Sequence, residues 1–120
     1  MSDQIKLNQE ALAELRELQQ ETGSDLLRQL LTSYLNTTPG LLENIRQGMA
    51  QQDAKAVYMA AHTLKSSSAY VGASILTELA KDLEAIGRTG SLQGAEALAQ
   101  KVEVVYPQIE ALLRAEMERG

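Results

Sequence analysis

The chain lacks cysteine altogether, and it has a single histidine among its 120 residues. The missing cysteines exclude a disulfide framework and a thiolate metal site, and they suit a reducing cytoplasm. With one histidine, a transition-metal site would need carboxylates for nearly every ligand, so we expect no metal cofactor. No apolar run approaches the ~20 residues that span a bilayer, and the start MSDQIKLNQE has no apolar signal-peptide core.

A basic surface is also missing, because 16 acidic residues outnumber 11 basic ones and give a formal net charge of −5. A nucleic-acid binder would show a basic stripe, and a single-strand binder would also show aromatic residues for base stacking. The chain has four tyrosines and no phenylalanine or tryptophan, and the tyrosines are spread along the sequence. Neither nucleic acid nor a membrane surface is therefore expected as a partner.

Helix-forming residues dominate what is present, chiefly leucine, alanine, glutamate and glutamine. Runs of β-branched residues are nearly absent, and the best of them, VEVVY, lies inside a helical pattern. We therefore predict an all-α chain. The first helix is expected over residues 8–20 with Gly23 as its end signal, and Ser24 is expected to cap the second helix.

Proline, glycine and aspartate divide the rest of the chain. The second helix contains Pro39-Gly40, and because an interior proline costs about 3 kcal/mol, this helix either bends there or is two helices. Asp53 is expected to cap the third helix, which ends at Gly72. The later elements predicted, in chain order, are a fourth helix over residues 73–86, a break at Gly87, Gly90 and Ser91, and a fifth helix from residue 92 with a kink at Pro107.

The connections between these helices are short, so successive helices should pack antiparallel. The predicted fold is an antiparallel up-down four-helix bundle with an additional short N-terminal helix against one end. The length fits a single domain over residues 1–120, and we expect a monomer. Such a bundle supports many functions, so the function must be argued from a site.

The single histidine, His62, lies in the stretch AAHTLKSSSAYVGA, residues 60–73. On a wheel of ~100° per residue, His62 points roughly 140° away from the predicted core face. A buried histidine is therefore not expected, and an unremarkable surface histidine is the alternative to a functional one. The core face is formed by Val57, Ala61, Leu64, Ser68 and Val71.

The neighbours of His62 on the helix surface are small or positively charged. Ser66, Ala69 and Ala73 leave room for another protein to approach the imidazole. Lys65 could offset the negative charge of a phosphoryl group on the ring. The other predicted neighbours are Lys55, Tyr58 and Met59.

A carboxylate is expected beside His62 from the following helix. His62 lies ten residues before Gly72 and Glu84 lies twelve after it, which places them about 15 and 18 Å from the turn at ~1.5 Å per residue. Glu84 could then accept a hydrogen bond from one ring nitrogen and leave the other bare. The alternative is that Glu84 is an ordinary solvated carboxylate on the flank of its helix.

The segments AHTLKSSSAYVGA and LTELAKDLE together resemble the signature of histidine-phosphotransfer (HPt) domains. That signature is His-x-x-Lys followed by a glycine or another small residue, a glycine several residues later, and Leu-Glu or Leu-Gln late in the next helix. The resemblance extends to the leading helix, the long second helix, the aspartate before the histidine helix and the long last helix.

The resemblance implies a phosphoryl carrier of a two-component phosphorelay, without an ATP site or kinase activity of its own. His62 would be phosphorylated, Lys65 would steady the phosphoryl charge and Glu84 would orient the ring. The implied partners are response-regulator receiver domains, which would supply Mg²⁺, with a hybrid sensor histidine kinase as a further candidate. The residues expected to admit the partner are Tyr58, Met59, Ser66, Ala69, Gly72 and Ala73.

Three positions depart from the family pattern. Many members have glycine in place of Ser66 and glutamine in place of Glu84, and Tyr34 is the nearest aromatic to a phenylalanine frequent in the second helix. Two other functions compete with the phosphoryl carrier: a helical adaptor that binds receiver domains or kinases without carrying phosphate, and an enzyme with a carboxylate pair. Whether the chain is free-standing or part of a sensor kinase stays open at this point.

Overall fold

The computed structural model describes residues 5–119, and residues 1–4 and 120 of the predicted domain lie outside it. The described part contains five helices and no strand, which confirms the prediction of an all-α chain. No helix within it combines the length and the apolar character needed to cross a membrane. The five helices are α1 (Gln9–Thr22), α2 (Leu26–Ala50), α3 (Ala54–Tyr70), α4 (Ser74–Arg88) and α5 (Ala95–Arg119).

Helix α1 ends where its sequence predicts, but the cap of α2 differs. Gly23 closes α1 in the left-handed conformation, with φ of 70°. The prediction that Ser24 caps α2 is wrong, because its hydroxyl pairs with Thr22 Oγ1 at 2.8 Å. The first turn of α2 is instead satisfied from α1, since the Leu27 N–H donates to Oε1 of Gln19 at 2.9 Å.

Both prolines lie inside continuous helices. Pro39 lies within α2 and Pro107 within α5, and each ring is on the exposed side of its helix. Of the two alternatives at Pro39-Gly40, division into two helices is therefore excluded. The buried leucine stripe of α2 continues past the proline to Ile45, and packing of this stripe offsets the lost backbone hydrogen bond.

The third and fourth helices form the hairpin that carries the predicted site. Asp53 caps α3 as predicted, accepting a hydrogen bond from the Ala56 N–H at 3.1 Å. Gly72 follows α3 with φ of 80°, and its carbonyl accepts the Asn8 N–H at 2.7 Å. A side chain at this position would lie 2.8 Å from the Asn8 carbonyl oxygen, so the turn requires glycine.

The predicted break between α4 and α5 is confirmed at Gly90 and Ser91 but is wrong at Gly87. Gly87 is buried inside α4, which continues to Arg88. A Cβ at this position would lie 3.0 Å from the Cα and the Cβ of Tyr58, so the glycine allows α4 to approach α3 closely. The missing side chain meets a packing requirement there, which explains why a glycine lies inside the helix.

The helices enclose one apolar core. Helices α2 and α3, α3 and α4, α4 and α5, and α2 and α5 contact each other and so close a ring, and α1 packs on α2. The predicted inward stripe of α3 is buried throughout, as Val57, Ala61, Leu64, Ser68 and Val71 are all 3% exposed or less. This anchors α3 and turns its opposite face to solvent.

Two buried tyrosines mark the polar part of this core. The Tyr34 hydroxyl shares a 2.8 Å hydrogen bond with Ser68 Oγ, which joins α2 to α3. Burial raises the pKa of Tyr34. The Tyr106 hydroxyl has no hydrogen-bond partner within residues 5–119, and burial raises the pKa of Tyr106 to about 12.

Candidate functional site

His62 stands on the exposed face of α3, opposite the buried stripe. Its side chain is 56% exposed, while Ala61 and Leu64 beside it in sequence are fully buried. The imidazole is therefore held on a helix whose position is set by the core, and a partner can reach it from solvent. The orientation agrees with the prediction from the helical wheel.

Glu84 of α4 contacts the ring from the side of the hairpin. Its Oε2 lies 2.6 Å from His62 Nδ1, and only 3% of its side chain is exposed. The alternative that Glu84 is an ordinary solvated carboxylate is therefore excluded. Because an ionised carboxylate only accepts hydrogen bonds, Nδ1 must carry the proton, and Nε2 of the neutral ring keeps its lone pair.

Two cations hold Glu84 in its charged form. Lys65 Nζ donates to Glu84 Oε1 at 2.6 Å, and a guanidinium nitrogen of Arg88 lies 3.5 Å from Oε2. The hydrogen bonds from Lys65 and then His62 lower the pKa of Glu84, although burial acts in the opposite direction. The site therefore holds a buried carboxylate that stays ionised at neutral pH.

Arg88 is a site residue that sequence reasoning missed. It lies four residues after Glu84, a spacing at which a cation and a carboxylate meet on a helix. The prediction of a helix end at Gly87 placed Arg88 outside α4, so the spacing of four residues from Glu84 was not recognised as a helical pair. The Arg88 guanidinium carbon also lies 5.7 Å from the centre of the Tyr58 ring.

Tyr58 completes the surroundings of the imidazole. Its ring stacks on that of His62 with the centroids 6.1 Å apart and an angle of 23° between the planes. Tyr58 therefore contacts both His62 and Arg88, and Glu84 contacts the same two residues. The stacked ring limits the directions in which the imidazole can turn.

The six residues expected to admit a partner fall into two groups. Met59, Ser66 and Ala69 are exposed on the face of α3 that carries His62, and Tyr58 is half-buried beside them. The structure does not place the other two residues on this face. Gly72 and Ala73 are buried in the turn between α3 and α4, where the backbone of Asn8 covers Gly72.

A cavity of about 480 Å³ lies between α3 and the end of α4. His62 does not line it, but Tyr58, whose ring stacks on His62, does. Gly87 and the exposed Met59 also line it. The positively charged side chains of Lys55 and Arg88 line the cavity as well. Within residues 5–119, no group of three or more histidine, aspartate or glutamate side chains is arranged to hold a metal ion.

Comparisons with known proteins identify a matching family model and a similar solved structure. The family model of the Hpt domain matches residues 29–119. Among solved structures, the chain is similar to the crystal structure of histidine-containing phosphotransfer protein B (HptB) from Pseudomonas aeruginosa PAO1, with 28% sequence identity and a TM-score of 0.84. That alignment covers 95% of this chain and 96% of the other. A search of curated proteins finds no match.

Proposed function

The chain belongs to the Hpt domain family, and we propose on this premise that it carries a phosphoryl group on His62 between receiver-domain aspartates in a two-component phosphorelay. The observation that carries the proposal is the 2.6 Å contact between His62 Nδ1 and Glu84 Oε2. It keeps the proton on Nδ1 and leaves Nε2 as the nucleophile on an exposed ring.

In the proposed reaction, Nε2 attacks the phosphorus of an aspartyl phosphate in line with the bond that breaks. The P–O bond to the aspartyl carbonyl breaks, a P–N bond forms, and the aspartate leaves as a carboxylate. Lys65, one helical turn from His62, offsets the charge that arrives with the phosphoryl group. The receiver supplies Mg²⁺ and most of the catalytic groups, and this chain acts as a carrier without its own kinase site.

The receiver docks on the exposed face of α3 around His62. Met59 and Tyr58 supply apolar contact, while Ser66 and Ala69 keep the approach to the ring open. In this proposal α2 to α5 run up and down as a four-helix bundle, which keeps the docking face rigid. A small surface of this kind suits a transient encounter with one receiver after another.

The proposed function is tested by incubating the chain with phosphorylated receivers from its source organism and following the label. Wild-type protein should take up the phosphoryl group, and His62→Gln, which keeps a polar side chain of similar size, should take up none. Label that persists in His62→Gln would overturn the assignment. If no phosphorylated receiver labels the wild type, the chain acts as the adaptor that binds without carrying phosphate.

The docking face is tested separately by Ala69→Trp, because Ala69 is exposed and its replacement leaves the core intact. Transfer from the receiver should fall at least about tenfold, since a bulky ring on this face blocks close approach. An unchanged circular dichroism spectrum and unfolding midpoint would show that the fold is retained. Transfer at the wild-type rate would place the docking surface elsewhere.

A further inference from the structure

Helix α3 is positively charged, although the chain as a whole is acidic. Residues Ala54–Tyr70 include two lysines and no acidic residue, whereas the chain has a formal net charge of −5. Lys65 donates a hydrogen bond to Glu84 across the hairpin. Lys55 is exposed and forms neither a side-chain hydrogen bond nor an ion pair with any residue in the part of the chain that the structure describes. Its charge is therefore free to meet a partner.

The position of Lys55 is unfavourable for the helix itself. It is the second residue of α3, and the first turn of this helix contains no acidic residue. Because the N-terminal end of a helix carries a partial positive charge, an acidic side chain stabilises this turn and a lysine opposes it. No contact within the described residues offsets this effect, which favours a role for the lysine outside the fold.

The cavity between α3 and the end of α4 brings Lys55 together with a second cation. Arg88 lines the cavity from α4, and Tyr58, Met59 and Gly87 are among the uncharged residues that line it. An acidic side chain of a partner fits this combination. Its methylene groups would lie against the Tyr58 ring, and its carboxylate would accept hydrogen bonds from Lys55 and Arg88.

The cavity lies within the area that a receiver covers when it reaches His62. Lys55 precedes His62 by seven residues, which places it two turns away on the same face, at about 10 Å for ~1.5 Å per residue. A transient interface of about 1,200 Å² buries about 600 Å² on each partner, which corresponds to a circle with a radius of about 14 Å. A receiver centred on His62 therefore reaches Lys55 and the cavity.

The receiver of the proposed reaction is acidic at the place where it meets His62. Proteins hold Mg²⁺ with one or two carboxylates together with phosphate oxygens, and a phosphoryl group carries nearly two negative charges. With two carboxylates, these groups and the metal ion have a net charge of about −2. Such a surface is attracted to the cations of α3, and charge complementarity of this kind raises the rate of association.

We infer that the receiver places an acidic side chain in this cavity, between Lys55 and Arg88, and that Lys55 determines specificity for receivers that have one there. This inference deepens the proposed function and rests on it. Lys55 lies two turns from the imidazole, so it acts in docking and takes no part in the transfer of the phosphoryl group.

The first experiment measures transfer from the phosphorylated receiver that labels wild type fastest, over a range of receiver concentrations and at two salt concentrations. Lys55→Glu is compared with Lys101→Glu, which makes the same change of charge. Lys101 is also exposed, and it lies on α5, which packs on α2 and α4. Urea unfolding checks the fold, and Lys55→Glu should be at least as stable as wild type because an acidic residue suits the first turn of α3.

The KM of Lys55→Glu for the receiver should rise about tenfold at about 0.05 M salt and less than about threefold at 0.5 M, because salt screens the new repulsion. The KM of Lys101→Glu should stay within about twofold of wild type at both salt concentrations. Equal KM values for the two variants would overturn the inference. An increase for Lys55→Glu that does not depend on salt would also overturn it, because a structural defect would have that effect.

The second experiment asks whether the receiver occupies the cavity. The full chain is labelled with ¹⁵N-glycine and titrated with the same receiver. The amide signals of Gly87 and Gly90, which line the cavity, should shift, whereas that of Gly23 at the end of α1 should not. Unchanged signals of Gly87 and Gly90 would overturn the inference.

Phosphoramidate, a small phosphoryl donor that needs no receiver, separates this inference from the proposed function. Wild type that is labelled at His62 by phosphoramidate and by the receiver, while Lys55→Glu behaves like Lys101→Glu, overturns the inference and leaves the proposed function intact. Wild type that accepts no label at His62 from either donor overturns both proposals.

Discussion

Gly87 offers a quantitative test of how closely α4 approaches the histidine helix. The perturbation is Gly87→Ala, which adds one methyl group inside α4. A Cβ there would lie 3.0 Å from the Ala54 carbonyl oxygen and from the Cα and the Cβ of Tyr58. The matched control is Gly40→Ala inside α2, where the new Cβ would have nothing within 4 Å.

The expected free energies follow from these distances. Replacing glycine by alanine inside a helix raises the free energy of unfolding by about 1 kcal/mol, and Gly40→Ala should show this whole increase. At Gly87 the same gain is opposed by overpacking, which costs about 1–3 kcal/mol when backbone atoms must move apart. Gly87→Ala should therefore change stability by about 0 to −2 kcal/mol relative to wild type, and the two variants should differ by about 1–3 kcal/mol.

The assay is urea unfolding of wild type and both variants, with the free energy of unfolding taken from the linear dependence on urea. A change in the slope of this dependence for either variant would mean that the surface exposed on unfolding has changed, so that the free energies of unfolding could not be compared directly. If Gly87→Ala is as stabilising as Gly40→Ala, the close approach of α4 to Tyr58 is refuted. The positioning of Glu84 beside His62 would then need another explanation, because Glu84 lies one turn before Gly87 on the same helix.

Two further predictions concern buried groups and are measured by urea unfolding. Tyr34→Phe should lower the free energy of unfolding by about 1–2 kcal/mol because it leaves Ser68 unpaired. Tyr106→Phe should be neutral or stabilising because no group within residues 5–119 forms a hydrogen bond with its hydroxyl, and equal losses in the two variants would contradict this contrast. The pKa of Glu84 is lowered from 4.5, mainly by the hydrogen bond from Lys65, so the stability it contributes is present above about pH 4.5 and lost as the pH falls through the lowered pKa. The unfolding free energies of wild type and Glu84→Gln should therefore converge as the pH falls from about 4.5 through the lowered pKa of Glu84, and a constant difference would contradict an ionised Glu84.

Local patterns predicted most of the helices and the face on which the histidine lies. His62 is exposed because the apolar residues of α3 recur with helical spacing on the opposite side, a property of the chain alone. Asp53 and Gly23 were recognised because a capping side chain and a left-handed glycine act within one or two turns. The register of the hairpin followed from the equal rise of two helices about Gly72.

The predictions were wrong where the role of a residue depends on a neighbouring helix. Ser24 has the chemistry of a cap, but Gln19 on the preceding helix satisfies the first turn of α2 instead. Gly87 looks like a helix end, but the packing of Tyr58 against it is what excludes a side chain. Ala73 would face the partner beside His62 only if α3 continued to it, but α3 ends at Tyr70 and Ala73 is fully buried in the turn.

The sequence by itself determined that the chain is helical and that His62 faces solvent with Lys65 one turn away, because helix propensity and periodicity are local. It also placed Glu84 level with the ring, through the number of residues on either side of Gly72. Only the tertiary structure decided that Glu84 is buried and ionised, with Lys65 and Arg88 both directed at it. Those properties depend on how close two helices lie, and that distance is set by side-chain packing across the hairpin.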